Sequence, residues 1–224
     1  MLTLALETST PLGSVALGDG DTLLAECALS VRATHSETVL GEVERLFART
    51  GRRPEDLEAV VVGAGPGSFT GVRIAAALAK GLCYARDLPL YAFSSLRALA
   101  ASVGHAPVCA VFDARREEVY AAAFADGARR PAALGPAVLP LERLLEELEP
   151  VDGWTFAGEG ALRHAGIIEA TGGTVLPAHL GVPRAAALLW LASVEPDGLV
   201  EDRTRWEPAY VRASGAERGI GRRG

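Results

Sequence analysis

Short apolar runs alternate with hydroxyl- and glycine-rich turns at the start of the chain. Runs at 2–6, 14–17 and 22–29 are separated by Thr8-Ser9-Thr10-Pro11-Leu12-Gly13 and by Gly18-Asp19-Gly20-Asp21. Three strands joined by tight turns predict an antiparallel meander. The period then changes. Val39, Val43, Leu46 and Phe47 follow helical spacing, Leu40 widens the stripe, and charged residues take the other faces, so the pattern predicts a helix over 36–49 that stops at Gly51. Residues 58–63 are apolar, β-branched and unalternating, as in a buried strand. The glycine-rich segment 63–71 leads into a second helix reaching about Tyr84, whose Gly71, Ala75, Ala76, Ala77, Ala79 and Gly81 leave room for close neighbours. A strand at 88–92 and a helix from Ser94-Ser95 through Ala101 complete this half.

The pattern restarts near 103–107. Strands are predicted at 108–112 and 118–124, a loop with three prolines at 131–140, a charged helix at 142–149 and a strand at 154–157. A helix at 161–170, a short strand at 174–176 and an apolar helix at 184–193 follow. Two blocks that open with strands and continue by strand–helix alternation imply two α/β lobes, at 1–104 and 105–224, with the last ten or so residues expected to lack order. No repeat is visible in the sequence itself.

Composition narrows the function classes. A 49% hydrophobic and 22% charged chain of 224 residues is globular. Its longest apolar run, 185–192, falls far short of the ~20 residues a membrane span requires, and the first residues lack a basic region. Cys27, Cys83 and Cys109 are unpaired in spacing and read as small buried side chains in a reducing, cytoplasmic protein. A net charge of −6 argues against a leading role in nucleic-acid binding, and Lys80 is the only lysine.

Candidate chemistry concentrates in the first half. Gly65, Gly67 and Ser68, between a buried strand and a helix start, form either a phosphate cradle or a tight turn whose glycines permit close packing. The Gly-Lys-Ser/Thr core of a Walker loop is missing. Thr8, Ser9 and Thr10 could hold a phosphate, with Glu7 reaching a magnesium-bound water, or could cap their own turn. His35 has Val39 where a second helical metal ligand would stand, and His105, His164 and His179 are isolated. Ser68 is not in a G-x-S-x-G elbow, and the charges of 113–118 read as a turn with ion pairs. No metal site or catalytic constellation is complete.

The block G-P-G-S-F-T-G-V-R at 65–73 with K-G-L at 80–82 resembles the signature of the TsaB (YeaZ) family of bacterial tRNA threonylcarbamoyladenosine biosynthesis proteins. E-T-S at 7–9, D-A-R-R-E-E-V-Y at 113–120 and E-P-A-Y-V-R at 207–212 extend the likeness over nearly the whole chain. The resemblance implies a two-lobed actin-like, Hsp70-like, sugar-kinase-like (ASKHA) α/β fold. It implies a non-catalytic partner of a TsaD-type paralogue, the metal-binding transferase that modifies adenosine 37 of ANN-decoding tRNAs. A TsaE-type ATPase would join the assembly, the chain alone would form a homodimer, and tRNA would be contacted only indirectly. No cofactor is expected in the isolated chain, with ATP or ADP at the level of the complex. Family dimers pair through the first two helices, which places Leu40, Phe47, Phe69, Arg73, Ala77, Lys80, Gly81 and Tyr84 in or beside the interface. Glu7 stands where many relatives have Asp. A stand-alone ATP-dependent phosphotransferase, a glycoprotease-like peptidase and a homodimeric binding module are the alternatives.

Overall fold

The computed structural model describes residues 1–30, 36–128 and 132–209. The expected lack of order in the last residues, His35, and Tyr210-Val211-Arg212 of the last motif therefore lie outside the described residues.

Two five-stranded sheets share one plan. In the first, β1 (Leu2–Glu7), β2 (Leu12–Asp19) and β3 (Thr22–Ser30) form the meander, and β4 (Ala59–Gly63) and β5 (Leu90–Phe93) add in parallel, giving the order β3-β2-β1-β4-β5. In the second, β6 (Val108–Arg115), β7 (Glu118–Phe124) and β8 (Leu134–Pro140) form a meander beside β9 (Thr155–Ala157) and β10 (Thr174–Val175), in the order β10-β9-β6-β7-β8. The same order with the same strand directions is the duplication that the sequence leaves invisible. Region 131–140, expected as a loop, contains the edge strand β8 from Leu134 to Pro140, and an edge is where Pro136 and Pro140 do least harm to a ladder.

Strand alternation assigns the layers. Leu4 and Leu6 face α1 (Ser36–Thr50) and α2 (Phe69–Arg86), with Val39, Val43, Leu46, Ala75, Ala79 and Cys83 completing that core. Ala5 and Val61 point to the other face, against α3 (Ser95–Val103) and the later α7 (Ala185–Val194). Small residues there let α7 lie close. In the second lobe α4 (Leu141–Glu147), α5 (Glu159–Arg163) and α6 (Ala165–Ala170) cover one face, and α3 covers the other. The single helix expected at 161–170 is two short ones that meet at His164, whose backbone leaves the helical region.

The expected second lobe, 105–224, does not stay on its own sheet. α7 packs on β1 and β2, and its uniformly apolar sequence suits a helix covered by both a sheet and α3. A strap then follows the edge of the first sheet, where Leu199 bridges Tyr91 and the Val200 N–H donates to the Leu90 carbonyl at 2.8 Å. Arg203 donates to the Asp87 carboxylate at 2.6 Å and to the Leu88 carbonyl. Lys80 Nζ donates to the carbonyls of Trp206 at 3.0 Å and Thr204 at 3.2 Å, and the Ala209 N–H reaches the Ala64 carbonyl at 2.9 Å. Lys80→Ala should remove both charge-assisted bonds, cost about 1–2 kcal/mol and speed amide exchange across 199–209. Unchanged exchange there would show that Lys80 does not hold the strap.

Candidate functional site

The end of β1 carries the residues that would hold a phosphate. Glu7, Thr8, Ser9 and Thr10 are all buried. The Thr8 hydroxyl donates to the Gly71 carbonyl at 2.6 Å, the Thr10 hydroxyl to the Leu12 carbonyl at 2.7 Å, and the Ser9 N–H to Glu7 Oε1 at 2.7 Å. The glycine loop closes over them. The Ser68 N–H donates to the Ser9 carbonyl at 2.7 Å, and Gly65 exchanges bonds with Ser95 through its own N–H (3.2 Å) and carbonyl (2.8 Å). Ser68 Oγ caps α2 by accepting from the Gly71 N–H.

The glycines are there for contact. A Cβ on Gly67 would sit 2.3 Å from the Ser9 carbonyl oxygen, and one on Gly63 would sit 2.0 Å from Glu7 Oε2. Ser9 thus meets Gly67 and Ser68, and Thr8 meets Gly71, while Thr10 bonds within its own turn and Gly65 bonds to Ser95. Glu7 is fully enclosed. Burial pushes its carboxyl above the ordinary value, and hydrogen bonds from Ser9, Ser95 and Thr8 offset this only in part.

The second lobe repeats the device, which the sequence reading passed over. Gly158 and Gly160 at the start of α5 pack on the middle of β6, where Cβ atoms would lie 2.1 Å from the Val111 oxygen and 2.7 Å from the Phe112 carbonyl carbon. A glycine pair just after a strand, as in the first lobe, was the available signal. Between them, Glu159 is raised to about 7 by burial first and then by the neighbouring Asp113 charge. Asp113 pairs with Arg163 at 2.9 Å, the ion pair expected for this turn. A carboxyl raised in the folded chain stabilises it when protonated, so that contribution is full below about 4.5 and is lost as pH climbs through about 7. Stability should therefore fall from pH 5 to 8, and Glu159→Gln should reduce the fall by on the order of 2 kcal/mol in urea titrations, unless Glu159 titrates normally.

The outer side of α1 and α2 is different in character. Phe69, Arg73, Ala77, Gly81 and Tyr84 fall on one stripe of α2, and all are exposed. Phe69 is 43% and Tyr84 is 90% accessible, as is 43% of Leu40 on α1. The Arg73 guanidinium stacks 4.7 Å over the Phe69 ring. Leu40 with Phe69, Arg73, Ile74, Ala77 and Leu78 lines a groove of about 520 Å³ between the helices. Nothing stands within 4 Å of a Cβ on Gly81 or Gly41. Two expected members of this face lie elsewhere. Phe47 is buried in the core, because α1 turns that side of its stripe to the sheet, and the Lys80 amine is engaged by the strap. Val39, at the position of a second metal ligand, is also a core residue. Among the described residues no group of three or more His, Cys, Asp or Glu side chains could hold a metal ion.

Comparison with known proteins decides the family. The family model described as TsaD, tRNA N6-adenosine threonylcarbamoyltransferase, matches residues 24–167. A Bacillus subtilis protein named tRNA threonylcarbamoyladenosine biosynthesis protein TsaB is 34% identical over 95% of this chain and 97% of its own length. The chain belongs to the TsaB family. The Escherichia coli TsaB is 32% identical, with 95% of each chain covered. The YeaZ structure from Pseudomonas aeruginosa superposes with a TM-score of 0.79 at 32% identity, covering 93% of this chain and 99% of that one. The TsaB family likeness spans both sheets, so the fold is that of YeaZ: two α/β lobes, each a mixed sheet with helices. Within it, the TsaB signature residues 65–73 build the closed turn and the first half of the exposed stripe.

Proposed function

We propose that this chain is a non-catalytic subunit in tRNA threonylcarbamoyladenosine biosynthesis, docking on a TsaD-type paralogue through the outer face of α1 and α2. The exposed stripe from Phe69 to Tyr84, with its apolar groove, carries the reading. Such a face, apolar or small along its length, is what a helix-bundle interface requires. The first-lobe turn supports the non-catalytic part, since the Thr8 and Thr10 hydroxyls already donate to the Gly71 and Leu12 carbonyls, and the Ser9 and Ser68 amides to Glu7 and to the Ser9 carbonyl. A TsaE-type ATPase joins the assembly in this reading, tRNA is reached through the partner, and the complex works in the cytoplasm. No helix among the described residues is long and apolar enough to cross a membrane. ATP or ADP, bound at the level of the complex, would meet the exposed Ser68 and Thr70 at the start of α2 rather than the buried turn.

Light scattering on a sizing column tests the reading. The chain mixed with its TsaD-type paralogue should elute at the mass of a one-to-one complex, and persistence of separate species with nucleotide and ATPase present would refute it. The same face gives a homodimer when the chain is alone. A stand-alone phosphotransferase would require ADP affinity in the isolated chain that Ser68→Ala or Thr10→Ala abolishes. Calorimetry should find no such affinity. For the peptidase alternative, no group of three or more His, Cys, Asp or Glu side chains among the described residues could hold a metal ion.

A further inference from the structure

The two helices of the docking face carry a charge opposite to that of the rest of the chain. α2 holds Arg73, Lys80 and Arg86 and no acid, and α1 holds three acids against two arginines. Together they are net +2, whereas the whole chain is net −6, so everything outside them is net −8. Two copies meeting through this face would set positive against positive, while an acidic surface would be drawn to it.

Two of the three bases on α2 are already committed within the chain. Lys80 Nζ donates to the Thr204 and Trp206 carbonyls, and Arg86 donates to the Pro54 carbonyl at 2.9 Å and the Glu55 carbonyl at 2.7 Å. Arg73 is different. Its contact in the folded chain is the Phe69 ring, and a guanidinium lying over a ring keeps the N–H groups at its rim for an acceptor. Among the described residues it is also the one charged side chain lining the groove, beside Leu40, Ile74, Ala77 and Leu78. A partner that fills this groove takes the guanidinium out of water, which is unfavourable unless a counter-charge comes with it. The occupant must therefore bring an apolar side chain and a carboxylate together, and on a helix those stand three or four residues apart. A second copy cannot supply the acid from α2. Its nearest candidate is Glu44, exposed one turn beyond Leu40 on α1 with the exposed Arg45 next to it.

We propose that Arg73 determines partner choice: a docking helix of the paralogue seats a bulky apolar side chain in the groove and sets a carboxylate, one turn away, against Arg73, so that the face favours the paralogue over a second copy of this chain. That the partner is the paralogue rests on the function proposed above; that it must present an acid beside an apolar side chain rests on Arg73 and its groove.

Sedimentation and isothermal titration of the full chain, alone and with the paralogue, compare the natural sequence with Arg73→Met and Ala77→Glu. Methionine keeps a long apolar stem that can pack on Phe69 while removing the charge. Arg73→Met should weaken the heterodimer about 30-fold or more, because the partner's carboxylate is stranded, and should leave self-association unchanged or stronger. When Arg73→Glu is paired with paralogues in which each acid of the docking helices is replaced in turn by Arg, one pair should recover about tenfold or more of the lost affinity. Equal weakening of both dimers would reduce Arg73 to a support for Phe69 and overturn the proposal. Weakened self-association alone would assign Arg73 to Glu44 of a second copy, and overturns it equally. Unchanged heterodimer affinity for Arg73→Met with a loss for Ala77→Glu would overturn partner choice by Arg73 while the docking face stands. Unchanged affinity for both variants, or no complex with the natural chain, would refute the docking face and Arg73's role with it.

Discussion

Glutamate at Ala77 or Tyr84 is expected to weaken docking on the TsaD-type paralogue by about 100-fold or more while leaving the free chain as stable as before. Both residues are exposed, so neither substitution disturbs a core contact. At the centre of a helix-bundle interface, however, each carboxylate would be buried without a partner, which costs about 3 kcal/mol or more. Ala77 lines the groove, and Tyr84 stands one to two turns further along the same stripe. Isothermal titration with the paralogue reads the affinity, and urea denaturation of the free chain reads the stability. Affinity equal to that of the unchanged chain would move the interface off α2.

Gly71→Ala should destabilise the chain by about 3 kcal/mol or more, whereas Gly81→Ala on the same helix should stabilise it by about 0.5–1 kcal/mol. A Cβ at 71 would sit 1.9 Å from the Thr8 carbonyl oxygen and 3.1 Å from its carbon. Backbone lies on both sides of that contact, and the Thr8 hydroxyl ties the two segments by donating to the Gly71 carbonyl, so neither side can yield. At 81 there is open space, and the substitution only removes backbone freedom from the unfolded chain. Urea midpoints of the two variants decide the matter. A Gly71→Ala chain of ordinary stability would mean that the glycine loop does not close on the β1–β2 turn. Gly81→Ala carries a second readout, because a methyl on the docking face should weaken the complex even as it stabilises the free chain.

The meander, α1, α2 and the buried strand β4 were legible because each rests on local information: period, turn chemistry and a glycine or serine at the boundary. What the sequence could not supply was the partner of each surface. The apolar stripe of α1 put Phe47 on its buried side, but did not show that Leu40, which widens the stripe, stays exposed. Lys80 was expected in or beside the interface, and the carbonyls that hold its amine lie 124 and 126 residues away on the strap. The prolines of β8 outweighed a strand that tertiary pairing with β7 imposes at the sheet edge. The glycine loop and the β1–β2 turn meet through Ser9, whose carbonyl accepts from the Ser68 N–H, a contact between residues 59 positions apart that no local pattern displays. Glu159 went unnoticed because the glycine pair around it signals a close approach without naming β6 as the partner that buries it.

The central claim is that α1 and α2 present the docking face, and site-specific crosslinking tests it most directly. A photoreactive benzoylphenylalanine at Tyr84, where 90% of the side chain is accessible, is compared with one at Ile167 of the second lobe, where 48% is accessible. Irradiation of the mixture with the TsaD-type paralogue should give a covalent adduct of the two chains from position 84 and none from position 167. An adduct from 167 with none from 84 would place the partner on the second lobe and contradict the account.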